Sequence, residues 1–117
     1  MITEDYVSFE TAKLLKKKRF DCSSYNHYRL DNGELCRFNT NCSTNLEQND
    51  YITAPTLQMA MKWLREKHKI TIGIVFEGDR IYYEIHQNNE FVFGVDTPKS
   101  YEKVCDEAIK YCLENLI

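Results

Sequence analysis

Leu57, Ala60, Met61, Leu64 and His68 recur at i, i+3, i+4, i+7 and i+11, while Lys62, Arg65, Glu66 and Lys67 fill the intervening positions. That spacing predicts an amphipathic helix over 55–68, with Pro55 opening it. The period then changes. Ile70, Ile72, Ile74 and Phe76 alternate with smaller or polar residues, as in a strand with one packed face. Glu77–Arg80 reads as a turn, after which Ile81, Tyr83 and Ile85 continue the inward face and Tyr82, Glu84 and His86 point outward. Gln87–Glu90 turns again into Phe91–Val95, completing a three-stranded meander. A last helix starts near Ser100 and buries Tyr101, Val104, Cys105, Ala108, Cys112 and Leu116.

The first half follows the same logic. Ser8 caps a helix running to about Arg19, Val7 and Ala12 occupy the two staple positions, and Phe9, Ala12 and Leu15 face inward. Phe20 returns to the core. Tyr25–Leu30 and Leu35–Phe38 flank Asp31-Asn32-Gly33-Glu34, an Asn-Gly hairpin signal in which both residues accept positive φ. Asn39–Asp50 is polar and reads as an exposed, flexible loop, and Tyr51–Thr53 as a short extra strand. The order α-β-β-(β)-α-β-β-β-α predicts a single α+β domain over 1–117. Its antiparallel sheet of four to six strands would carry three helices on one face. The helix–hairpin order occurs twice, at 8–38 and 55–86, without residue-level identity between the copies.

Composition narrows the function classes only a little. With 117 residues, 43% hydrophobic and 28% charged, the chain belongs with folded globular proteins. A formal charge of −3 gives no global attraction to nucleic acid or an acidic membrane. The opening residues lack a basic-then-apolar leader and no window is apolar enough to span a bilayer, so a cytoplasmic location is expected. Five cysteines, Cys22, Cys36, Cys42, Cys105 and Cys112, form no familiar disulfide spacing and suit a reducing compartment.

No metal-ligand spacing, nucleophile elbow, phosphate loop or cofactor motif is present. His27 and Cys36 face one another across the first hairpin and read as a surface histidine beside a core cysteine. Two surfaces remain as candidates. The outer sheet face, with Thr71, Val75, Tyr82, His86 and Val92, forms a mixed aromatic and aliphatic patch suited to a protein partner or to homo-oligomer formation. Lys13, Lys16, Lys17, Lys18 and Arg19, with Tyr25 and Tyr28 nearby, form the one concentrated basic patch and the candidate nucleic-acid contact. Trp63 and Met59, i and i+4 neighbours, are read as core.

Ala54–Glu66, together with Tyr6–Leu15 and Tyr101–Glu114, resembles small uncharacterised proteins encoded in prophage-like and mobile regions of gut-bacterial genomes. The resemblance implies a phage-type setting and a small accessory role, and it carries no catalytic residues. The expectation is a non-enzymatic protein-binding or assembly module without cofactor or membrane association, or alternatively a nucleic-acid-binding accessory protein using the basic helix end.

Overall fold

The computed structural model describes residues 4–45, 50–97 and 100–117. The elements run α1 (Phe9–Lys17), β1 (Ser24–Arg29), β2 (Leu35–Cys42), β3 (Tyr51–Thr53), α2 (Leu57–His68), β4 (Ile70–Glu77), β5 (Arg80–Gln87), β6 (Glu90–Thr97) and α3 (Tyr101–Asn115). The fold is α+β in the expected order. Its six strands are dealt into two three-stranded antiparallel sheets, β2-β1-β3 and β4-β5-β6, where one sheet of four to six strands was the expectation. The chain divides into two compact units, Met1–Thr56 and Leu57–Ile117.

In the first unit, Ser8 caps α1 by accepting the Thr11 N–H at 3.2 Å, and Val7 and Ala12 are fully buried as the staple requires. At the far end Phe20 N–H bonds Leu15 O and Arg19 N–H bonds Lys16 O, with Arg19 at φ 63°, which is the Schellman closure. Phe20 and Leu15 are both fully buried there.

The β1–β2 turn differs in detail from the expectation. Gly33 takes positive φ, whereas Asn32 does not and instead accepts the Glu34 N–H on its side-chain oxygen at 2.9 Å. The segment 39–50 also departs from an exposed loop. β2 continues to Cys42, and Thr44 and Asn45 are buried, with residues 46–49 outside the described set. Their polarity has a use: the Asn45 amide donates to Phe20 O and its oxygen accepts the Thr53 N–H, so the side chain stands in for a missing strand.

In the second unit the apolar stripe of α2, Leu57, Ala60, Met61 and Leu64, is buried together with Trp63, while Met59 stays 40% exposed. The sheet meander forms with two tight turns, Gly78-Asp79 and Asn88-Asn89; Gly78 and both asparagines have positive φ. Tyr83, Ile85 and Ile70 bury one sheet face. α3 lies on that face, where Phe93 stacks on Tyr111 at 4.1 Å between centroids and Phe76 on Tyr101 at 5.9 Å. Phe76, expected to point into the core, is at the sheet's end and 63% exposed. On α3 the buried stripe also includes Ile109 and Leu113, beyond the positions expected from the sequence.

Candidate interaction face and anion pocket

Pairing places Thr71 opposite His86, Gly73 opposite Glu84 and Val75 opposite Tyr82, so these six residues share the face turned away from α3. A register shift between Ile85 and His86 then pairs His86 with Phe91. The shift corrects the expected patch. Val92 is the extra residue of this bulge and has no cross-strand partner, while Phe91 takes its place beside His86, in edge contact at 5.7 Å. Phe91 is 62% exposed, the most protruding apolar side chain of the patch.

Two glycines shape the centre of this face. Gly73, Glu84 and Gly94 line up across the three strands. A β-carbon at Gly73 would meet nothing within 4 Å, whereas at Gly94 it would lie 3.4 Å from the Phe91 ring, which covers that backbone. Glu84 thus stands between open backbone at Gly73 on one side and backbone covered by the Phe91 ring at Gly94 on the other. Its carboxylate lies 3.6 Å from His86 Nε2, and further along β5 the Tyr82 hydroxyl donates to Glu77 at 3.4 Å. Burial together with the Glu77 and Glu84 carboxylates holds Tyr82 above its ordinary pKa.

Beside Thr71 the face runs into a cavity of about 450 Å³ lined by Arg65, Lys69, Thr71, Asn88 and Asn89. The Asn88 N–H bonds Lys69 O at 3.0 Å, tying the β5–β6 turn to the end of α2. Lys69, Asn88 and Asn89 all hold positive φ. Of the five, the sequence groups only Arg65 with Lys69, in a loose basic group with Lys67 that Glu66 interrupts; the fold adds Thr71 from β4 and Asn88 and Asn89 from the β5–β6 turn.

The basic run sits elsewhere, on α1. Lys13, Lys17 and Arg19 are exposed and Lys16 and Lys18 half-buried. Lys13 Nζ lies 4.7 Å from the Phe9 ring centroid. Of the nearby aromatics, Tyr28 donates its hydroxyl to Val7 O at 2.6 Å and packs on Phe9, while Tyr25 lies beneath the Arg37 guanidinium.

His27 reverses the expected reading. It is fully buried, opposite a half-buried Cys36. Nε2 is 2.9 Å from Ser24 O, which only accepts, so Nε2 carries the hydrogen and Nδ1 accepts from the Thr44 hydroxyl at 3.1 Å. The ring also stacks on Phe38 at 4.2 Å. Cys42 Sγ lies 3.7 Å from Nε2, but that nitrogen has no lone pair to take a thiol proton. Cys105 and Cys112 are fully buried, and burial pushes the Cys112 thiol up to about 12. Among the described residues no group of three His, Cys, Asp or Glu is placed to hold a metal ion, and no helix is long and apolar enough to cross a membrane.

Compared with protein-family models, curated proteins and solved structures, the chain matches none.

Proposed function

We propose that the chain is a non-enzymatic assembly module that pairs with a second copy of itself through the outer face of the β4–β5–β6 sheet. The observation that carries this reading is the alternation of relief on that face. Phe91 projects, Tyr82 is part-exposed, a β-carbon at Gly73 would meet nothing within 4 Å, and the Glu84 carboxylate lies beside the His86 imidazole. A two-fold operation brings projections onto bare backbone and Glu84 toward the second copy's imidazole, the self-complementarity an isologous contact requires. An uncovered face with an aromatic knob is the kind of surface that soluble chains leave open for a partner. The resemblance of Ala54–Glu66 to prophage-type proteins supports a phage or mobile-element setting for such a module.

Light scattering over a concentration series tests the proposal. A dimer is expected, and Tyr82→Lys, at a part-exposed position, is expected to abolish it while leaving the far-ultraviolet circular dichroism spectrum unchanged. A variant that dimerises like the parent would overturn the assignment of the face.

A second reading has one observation in its favour. Lys13, Lys17 and Arg19 are exposed at one end of α1, which suits contact with a phosphate backbone. It is the weaker one, because Arg19 and the adjoining Lys18 also form the Schellman turn that seats Phe20, a structural reason for residues there.

A further inference from the structure

We infer that the cavity lined by Arg65, Lys69, Thr71, Asn88 and Asn89 binds the phosphate group of a small phosphomonoester. The inference is independent of the self-association reading, since it uses a different chemistry and needs no second copy. Every lining side chain can donate a hydrogen bond, none is a carboxylate and none is apolar. Arg65 offers a planar fork suited to two oxygens of one phosphate, Lys69 a compact ammonium, and Thr71 and the two carboxamides neutral donors for the remaining lone pairs. Two fixed positive charges match a dianion. A carboxylate would leave one of them uncompensated.

The competing explanation is that these cations serve the C-terminus of α2. Lys69 Nζ does reach Glu66 O, but at 3.5 Å, the outer limit of a hydrogen bond. The helix end is equivalent to about half a negative charge. Arg65, Lys67 and Lys69 supply three positive charges against it and the single Glu66 carboxylate, so a positive surplus remains for a ligand.

The backbone argues in the same direction. Lys69 sits at φ 59° directly after α2, a place where glycine is the low-energy choice, and it is one of the residues that line the cavity. The hydrogen bond from Asn88 N–H to Lys69 O then fixes the turn against the helix end, so the donors do not have to be gathered when the ligand arrives. The volume, about 450 Å³, lies within the range of small-ligand sites and exceeds what a phosphate alone would fill. That leaves room beside the phosphate for the rest of a small phosphomonoester, such as a sugar.

Titration of the full chain in chloride buffer with inorganic phosphate, and separately with ribose 5-phosphate, tests this by calorimetry and by amide shifts. Saturable 1:1 binding is expected for both, tighter for the sugar phosphate, with the largest shifts at Thr71, Asn88 and Asn89. Lys69→Gly and Arg65→Gln are each expected to weaken binding about tenfold or more, the loss of one charge-assisted hydrogen bond. Lys69→Gly relaxes the backbone at that position, so its loss of binding is not a loss of fold. Tyr82→Lys is expected to bind phosphate like the parent, which separates this site from the interaction face. No saturable signal up to about 50 mM phosphate, weaker than any site of interest on the affinity scale, would overturn the inference. So would equal binding by both cavity variants, or binding of duplex DNA without binding of either small probe.

Discussion

At the scale of single residues, His27 ties three segments together and makes the fold sensitive to pH. Its ring bonds Ser24 O and Thr44, the Thr44 N–H bonds Thr53 Oγ1, and Asn45 closes the set through the Thr53 N–H. Burial lowers the His27 pKa, partly opposed by the bond to Ser24, and His68 is lowered in the same sense by burial and by Lys67. The folded state therefore resists a proton that the unfolded chain takes up near 6.5. Stability is fully present above that value and is lost as pH falls below it toward the lower folded-state pKa. The urea midpoint is expected to drop between pH 7.5 and pH 5.5. In His27→Gln the pH 7.5 stability is expected to fall by about 1–3 kcal/mol, because buried partners lose their bonds, and the pH-dependent drop to shrink. A variant with the parent's full pH dependence would show that His27 does not carry it. None of this network was legible from the hairpin alone. Alternation across β1 and β2 places His27 opposite Cys36 correctly, but what covers the imidazole arrives from Thr44, Asn45 and Thr53, residues whose polarity reads as loop until their partners are known.

At the scale of elements, the signals that could be read were those in which side chain and backbone meet locally. Ser8 caps α1 as expected, and Ser100, where the last helix was expected to start, caps α3; each accepts the N–H three residues on, at 3.2 and 3.4 Å. The stripe of α2 and the alternation of β4 and β5 follow periods that a window of the sequence contains. Helix ends and sheet irregularities are different, since the residue types there do not advertise them. α1 closes with Arg19 and α2 is followed by Lys69, both in the left-handed region where glycine is usual. The bulge that replaces Val92 with Phe91 beside His86 shifts the register by one residue, so that Phe93 faces α3 while Phe91, two residues earlier, turns to the opposite face. Arg19→Gly tests the first of these. It removes a left-handed β-carbon while keeping both Schellman hydrogen bonds, and it is expected to raise stability by about 0.5–1 kcal/mol, after the entropic cost of glycine in the unfolded chain is subtracted. A loss of stability in denaturant melts would mean that the Arg19 side chain contributes more than its backbone strain costs.

At the scale of the whole molecule, charge and relief decide between the two proposed partners. The net charge of −3 opposes a polyanion and only mildly opposes a second copy. Contact through Phe91, Tyr82 and bare glycine backbone buries apolar surface, a term that salt does not screen, whereas contact of Lys13, Lys17 and Arg19 with phosphates releases counterions and falls steeply with salt. The dimer constant is therefore expected to change by less than about threefold between 0.1 and 1 M salt, a range that would remove most of any binding held by a handful of phosphate contacts. Gly73→Val sharpens the test. The position has open space above it and an ordinary strand conformation, so valine should leave the protomer as stable as before, or slightly more so from strand propensity, yet it fills the hollow that receives the second copy. Weakening of the dimer by about tenfold, read by light scattering at matched protomer stability, is the expected result. A dimer that tolerates Gly73→Val but dissolves in 1 M salt would instead rest on contacts between opposite charges and would overturn the assignment of this face.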